Sequence, residues 1–123
     1  MRTGSGAHRV LPTGTVTFLL TDIEGSTRLW ESAPGVMGDV VARHYEILEA
    51  AIAAHGGQRP QEQGEGDSVV AVFDDATVAV AAAIDAQRAL AAEPFAGAVN
   101  LRVRMALHSG VSARRGHRTT SAQ

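Results

Sequence analysis

Apolar positions near the start of the chain follow a strand-like pattern and then give way to polar ones. Residues 15–21 are β-branched or apolar, which predicts a strand buried on both faces. A Gly-Ser-Thr turn follows at residues 25–27. It is predicted to open a short helix over residues 28–31, with Ser26 as the N-cap.

A longer helix is predicted over residues 36–55, where apolar side chains recur at helical spacing. Its apolar stripe consists of Met37, Val41, Leu48 and Ile52, flanked by Val40, Tyr45 and Ala51. A Pro-Gly pair precedes this helix and a Gly-Gly pair follows it, and glycine is a common helix terminator.

The second half of the chain predicts two further strands and one helix. Residues 59–63 are polar and contain Pro60, so any strand there is weak or lies at a sheet edge. Residues 68–73 predict a short apolar strand, and residues 76–92 predict an Ala-rich helix lying flat on the sheet. Residues 100–108 alternate apolar and cationic side chains, which predicts a strand with one buried face.

The order of these elements, β-α-α-β-β-α-β, predicts a ferredoxin-like α+β sandwich with its helices on one face of the sheet. We assign residues 14–110 to this domain and residues 1–13 to a disordered leader. The apolar periodicity ends at Ser109, so residues 111–123 are predicted to form an irregular tail.

Composition narrows the class of protein to a single soluble domain. The 123 residues are 45% hydrophobic and 20% charged, and the formal charge of −2 favours neither nucleic acid nor an anionic membrane. Cysteine is absent, which excludes disulfides, thiolate metal sites and a thiol nucleophile. No apolar run reaches the roughly 18 residues that span a bilayer, and no signal-peptide pattern occurs, so a cytoplasmic location is expected.

Two aspartates lie at the ends of the predicted apolar strands. Asp22 follows the first strand, and Asp67 directly precedes the next apolar strand. If these strands lie antiparallel side by side, the two carboxylates meet at one edge of the sheet. Two hard oxygen ligands with open positions for water and phosphate suit Mg²⁺ or Mn²⁺ bound through a nucleotide. The backbone N–H groups of Gly25, Ser26 and Thr27 are predicted to hold the phosphates at a helix N-terminus.

Each aspartate also has a purely structural interpretation. Asp22 alone would end a strand and cap the next helix, and Asp67 alone would be a turn residue after Gly66. Their joint occurrence at corresponding ends of two apolar strands favours the metal site.

Three segments carry a resemblance to a known family. FLLTDIEGSTRLWE and GEGDSVVAVF, in that order and spacing, resemble the catalytic domain of the class III nucleotidyl cyclases, the adenylate and guanylate cyclase family. GTVTFLLTDIEGST is especially similar to the bacterial branch, and MALHSG resembles the later Leu-His-Thr-Gly strand of that family. The resemblance runs from about Gly14 to Gly110.

The resemblance implies a head-to-tail dimer that makes a 3′,5′-cyclic nucleotide from a purine nucleoside triphosphate and releases pyrophosphate. Asp22, Asp67 and the backbone carbonyl of Ile23 match the ligands of two Mg²⁺ or Mn²⁺ ions. The partner supplies a base-reading Lys and Asp, and an Asn and an Arg for the transition state. The base-reading Lys falls on Gln63, which both donates and accepts hydrogen bonds and so does not fix ATP or GTP.

The family's transition-state groups have no match in this sequence. They lie in a Val-Asn-x-Ala-x-Arg run beyond Leu-His-Thr-Gly, and the 123 residues contain no such run. We therefore expect a C-terminally truncated cyclase domain that lacks its final strands and its catalytic Asn and Arg, with little activity alone.

Two other interpretations stay open at this point. One is a pseudo-cyclase that pairs with an intact cyclase or regulator and donates Asp22 and Asp67 to a composite site. The other is a diguanylate-cyclase-like or phospho-receiver domain, which also carries acidic residues at strand ends. The sequence contains no Gly-Gly-Glu-Glu-Phe signature and no lysine, and both absences count against this last interpretation.

Overall fold

The first strand of the chain lies in the centre of a three-stranded antiparallel sheet. The computed structural model describes residues 14–60 and 67–112. Strand β1 (Gly14–Ile23) pairs with β2 (Val69–Phe73) on one side and with β3 (Val103–Ser112) on the other, which gives the order β2-β1-β3. The predicted strands are therefore neighbours through β1.

Three α-helices connect these strands. They are α1 (Ser26–Ser32), α2 (Met37–Ala54) and α3 (Ala76–Ala92), and a short 3-10 turn, Ala96–Ala98, precedes β3. No helix in the described ranges is long and apolar enough to cross a lipid bilayer.

Two of the helices begin in different ways. The carboxylate of Asp75 accepts a hydrogen bond from the backbone N–H of Val78 at 3.1 Å, so a side chain caps α3. At α1 the cap position belongs to Gly25, whose φ of 67° lies in the left-handed region that glycine adopts without strain. The predicted N-cap at Ser26 is therefore wrong, because Ser26 is already the first residue of the helix.

The cap of α3 gives a first testable prediction. Asp75→Ala is expected to lower the free energy of unfolding by about 1 kcal/mol, because the first turn of α3 loses a hydrogen-bond acceptor. Asp74→Ala is the matched control, since Asp74 is also exposed and carries the same charge outside the cap position. Urea unfolding followed by circular dichroism measures both; equal losses would contradict the capping role.

One face of the sheet packs against α2 and α3. Leu19, Ile23 and Phe73 belong to the same buried cluster as the apolar residues of both helices. The helix predicted to be Ala-rich has a buried face that is mainly alanine: Ala79, Ala82, Ala86 and Leu90. Helices on one face of an antiparallel sheet confirm the predicted α+β sandwich.

The opposite face of the sheet is only partly covered. We call it the open face, and define it by Leu20, Asp22, Val70, Arg104 and Ala106, which occupy paired positions on the three strands. The side chain of Leu20 is 44% exposed. The prediction that the first strand is buried on both faces is therefore wrong at this end of β1.

The buried side of α2 differs from the predicted stripe. The buried residues are Met37, Val40, His44, Ile47, Leu48, Ala51 and Ile52. Val41 and Tyr45 are only half-buried. The predicted stripe is rotated around the helix axis relative to the buried side. It omits His44, a polar residue that lies in the middle of the buried side.

Strand β3 begins and ends later than predicted. It continues to Ser112, which pairs with Gly14, so the pattern of pairing does not stop at Ser109. Backbone hydrogen bonds to β1 hold this part of the strand without apolar alternation. The hydroxyls of Thr17 and Ser109 also lie within hydrogen-bond distance, 2.8 Å, across the two strands.

The predicted buried face of β3 is buried only at its beginning. Val103 is 7% exposed and Leu107 is 41% exposed. Leu107 lines an apolar groove of about 390 Å³ with Val80 and Ile84 of α3. Just before the predicted weak strand at 59–63, an isolated antiparallel bridge joins Gln58 to Val72. Residues 59 and 60 are not in a strand, and residues 61–66 lie outside the described ranges.

Candidate functional site

Asp22 and Asp67 lie at the same end of the sheet. In the antiparallel register of β1 and β2, Thr21 is opposite Val69. Asp22 comes one residue after Thr21, and Asp67 comes two residues before Val69. Unlike the sequence prediction, Asp22 lies within β1, because the strand continues to Ile23.

The carboxylate of Asp22 forms a bidentate ion pair with Arg104 on the open face. Nε of Arg104 donates to Oδ1 of Asp22 and Nη2 donates to Oδ2, both at 2.9 Å. The two residues are direct partners in the β1–β3 register. These hydrogen bonds and the charge of Asp22 raise the pKa of Arg104.

Sequence reasoning missed Arg104 as part of this site. It identified the residue only as a cationic position on the exposed side of a strand. The relevant signal is the pairing of Asp22 with Arg104, 82 positions apart, and it depends on the β1–β3 register rather than on any local motif.

Asp67 has different neighbours, on the α2 side of the sheet. Its negative charge acts on His44 and Tyr45, which are adjacent on that helix. Burial, followed by the charge of Asp67, raises the pKa of Tyr45. Burial lowers the pKa of His44, although a hydrogen bond with the carbonyl of Val41 and the charge of Asp67 act in the opposite direction.

The turn between β1 and α1 begins directly after Asp22 and Ile23. Ile23 is buried, and its neighbour Glu24 donates its backbone N–H to the carbonyl of Arg102 at 2.8 Å. Gly25 then turns the chain into α1, so that Ser26 and Thr27 form the first turn of that helix. The N–H groups of a first helical turn have no acceptor within their own helix and point out of its N-terminal end, where an anion can accept hydrogen bonds from them.

A shallow cleft of about 480 Å³ lies on the sheet beside Asp22. It is lined by Leu20, Thr21, Asp22, Ser68, Val69, Val70, Arg104, Met105 and Ala106. Apolar side chains form most of this lining, and Asp22 and Arg104 are its charged residues. A cleft of this kind suits a ligand with an apolar surface and a charged end.

The oxygen donors of Asp22, Asp67 and Ile23 fit a hard divalent cation only when water or a bound phosphate supplies the remaining ligands. Among the residues that the structure describes, no group of three or more His, Asp or Glu side chains is placed to hold a metal ion. Two carboxylates and a backbone carbonyl are what Asp22, Asp67 and Ile23 offer. Mg²⁺ is commonly bound through one or two carboxylates, with waters and substrate phosphates as the other ligands.

Gln63, the predicted base-reading residue, lies outside the described ranges. The structure therefore places Asp22 and Asp67 at the same end of the sheet, with Asp22 paired to Arg104 on the open face and Asp67 towards α2. The turn at Gly25 follows Asp22 in sequence.

Curated relatives of this chain include uncharacterised proteins and adenylate cyclases. No family model matches the chain. An uncharacterised protein of Mycobacterium tuberculosis is 42% identical over 107 residues, which cover 87% of this chain and 35% of that protein. A receptor-type adenylate cyclase of Trypanosoma congolense is 40% identical over 78 residues, covering 63% of this chain and 10% of that protein. The chain thus spans about a third of the mycobacterial relative's length.

Solved structures of similar fold are cyclase domains. Adenylate cyclases from Trypanosoma brucei in their monomeric state match with a TM-score of 0.71 and 26% identity, over 81% of this chain and 58% of that chain. The guanylate cyclase domain of a Catenaria anguillulae protein, in complex with GTP, matches with a TM-score of 0.70 over 80% of this chain and 57% of that chain. At 21% identity the second likeness shows the fold alone.

Proposed function

Since the chain is a class III nucleotidyl cyclase-like domain, we propose that it contributes one half of a site that forms a 3′,5′-cyclic nucleotide from a purine nucleoside triphosphate. The observation that carries this proposal is the placement of Asp22 and Asp67 at the same end of the β1–β2 pair. The turn at Gly25 follows directly in sequence. Pyrophosphate is the second product of the reaction.

The proposed metal ligands are the carboxylates of Asp22 and Asp67 and the backbone carbonyl of Ile23. Two Mg²⁺ or Mn²⁺ ions bound there with the nucleotide would activate the ribose hydroxyl and stabilise the leaving pyrophosphate. The backbone of Asp22 is held by the β1–β3 ladder, in which Asp22 pairs with Arg104. The backbone therefore holds this ligand without help from the metal.

The proposed phosphate contacts come from the N–H groups of residues 25–27 and from Arg104. The guanidinium of Arg104 pairs with both oxygens of Asp22, and arginine also forms such bidentate pairs with phosphate, which supports a contact with a phosphate bound beside Asp22. Gln63 is proposed to face the base. Its amide both donates and accepts, so the choice between ATP and GTP stays open.

The proposed partner is a second cyclase domain, in a homodimer or a heterodimer, docked on the open face. Leu20 is exposed beside Asp22, and a docked domain would cover it while completing the site. Because the 123 residues contain no Val-Asn-x-Ala-x-Arg run, a heterodimer with an intact cyclase is the second candidate. In that pseudo-cyclase role, this chain supplies the aspartates and the partner supplies the Asn and Arg.

Thermal unfolding in the presence of Mn²⁺ and a non-hydrolysable ATP or GTP analogue tests the metal–nucleotide site. At about ten times the dissociation constant, binding to the native state adds about 1.4 kcal/mol of stability. For a domain of this size, that raises the midpoint by about 5–10 °C. Asp22→Ala is expected to remove the shift, because a metal ligand is lost.

Asp74→Ala is the matched control for this experiment. Asp74 is exposed and follows the far end of β2, so its loss should leave the ligand-dependent shift unchanged. A full shift in Asp22→Ala would place the nucleotide elsewhere on the protein.

A further inference from the structure

The ion pair between Arg104 and Asp22 engages both carboxylate oxygens that a metal ion would bind. Nε and Nη2 of Arg104 each donate to a different carboxylate oxygen, at 2.9 Å. This fork-to-fork geometry is the strongest arrangement that arginine makes with a carboxylate. A cation that approaches Asp22 from the side of the guanidinium must displace at least one of these hydrogen bonds, and one that binds a remaining lone pair meets the positive charge of Arg104.

We propose that Arg104 competes with divalent cations for Asp22, so that the domain binds free metal weakly. This inference rests on the proposed metal site, and it concerns the metal alone rather than the reaction. Arg104 opposes the cation in two ways, by holding the ligand oxygens and by placing a positive charge beside the incoming ion.

The position of this competitor is fixed by the sheet. Asp22 and Arg104 are opposite each other in an antiparallel ladder that runs from Gly14↔Ser112 to Ile23↔Val103. The backbone of Arg104 therefore stays beside Asp22, and only its side chain moves away when a cation binds.

The pair is also easy to break. The side chains of Arg104 and Asp22 are 63% and 42% exposed, and exposed ion pairs contribute little to stability and are screened by salt. Water can therefore solvate both groups when they separate. The pair acts as a reversible competitor rather than a permanent block. A second anion that takes up the guanidinium would relieve the competition, which makes cation binding cooperative with anion binding.

Titration with Mn²⁺ alone, followed by the electron paramagnetic resonance signal of the free ion, tests the competition without any turnover. Arg104→Gln is expected to bind Mn²⁺ about tenfold more tightly than the unchanged protein. This is the size expected when one unit charge is removed a few ångströms from a divalent cation in high-dielectric surroundings. Arg104→Lys keeps the positive charge but loses the bidentate hydrogen bonds, so its Mn²⁺ affinity is expected to rise by less than that of Arg104→Gln.

The control variants separate the competition from other effects. Arg88→Gln removes the same charge from the exposed side of α3 and is expected to leave Mn²⁺ affinity unchanged. The double variant Asp22→Asn with Arg104→Gln is expected to lose the gain, since the gain acts through Asp22. Melting by circular dichroism checks that each variant is folded.

Each outcome bears on one of the two proposals. If Asp22→Asn weakens Mn²⁺ binding but Arg104→Gln does not strengthen it, the competition is overturned and the metal site stands. A gain in Arg104→Gln that survives in the double variant also overturns the competition. If Arg104→Gln binds no Mn²⁺ at all, the metal site at Asp22 fails and the competition fails with it.

Discussion

Leu19→Ala is expected to lower the free energy of unfolding by about 2–5 kcal/mol, whereas Leu20→Ala should change it by less than about 1 kcal/mol. The two residues are adjacent in β1 and have the same side chain. Leu19 is 1% exposed and lies in the core beneath the helices, and Leu20 is 44% exposed on the open face. Removing the buried leucine leaves a cavity, and removing the exposed one does not.

Urea unfolding followed by circular dichroism measures this difference. The protein should be dilute, because a dimer formed through the open face would bury Leu20 and increase its apparent contribution. Equal losses for both variants in the dilute protein would mean that β1 is buried on both faces, as its apolar sequence alone predicts.

The elements that the sequence predicted well are those whose boundaries depend on neighbouring residues. Helix α3 occupies residues 76–92, as predicted, because Asp75 caps its start and its C-cap, Glu93, is followed by Pro94. Strand β2 differs from its prediction by one residue. Alternation, capping residues and breakers act over a few positions, so a local reading finds them.

The elements that the sequence predicted poorly depend on pairing between distant segments. An apolar run such as that of β1 does not reveal which of its faces the helices cover, because that depends on where α2 and α3 pack. Strand β3 reaches Ser112 through backbone pairing with β1, which leaves no mark on side-chain polarity. The burial of His44 was missed for a related reason. The packing of α2 buries this side chain, and its polarity alone does not indicate that.

The residues of the candidate site also fall into two groups, those that the sequence identified and one that depends on strand pairing. Asp22 and Asp67 were identifiable because two acidic residues occur together at corresponding ends of two apolar strands, and the antiparallel pairing of β1 and β2 does place them at one sheet end. Arg104 was not identifiable, because its role follows from the register that places it opposite Asp22. Their function as metal ligands is still a prediction.

A polypeptide of these 123 residues is expected to form cyclic nucleotide barely above background when it is assayed alone. The proposed metal ligands are present, but the sequence has no match to the Asn and Arg that the family resemblance assigns to the transition state. Loss of one preorganised donor of that kind costs about 10²–10³ in rate, and two are absent. Mass spectrometry of the product measures the rate, and robust turnover by the isolated polypeptide would contradict this expectation.

Mixing the same polypeptide with an intact class III cyclase whose own metal aspartates are replaced is expected to raise the rate by at least about 10²-fold. The composite site then takes Asp22 and Asp67 from this chain and the transition-state groups from the partner. Asp67→Ala in this chain should abolish the gain, because the metal loses a ligand, while Asp74→Ala at the other end of β2 should preserve it. Heterodimers that form, as seen by analytical ultracentrifugation, but give no gain with the unchanged chain would contradict the composite site, since both halves would be in contact without completing each other.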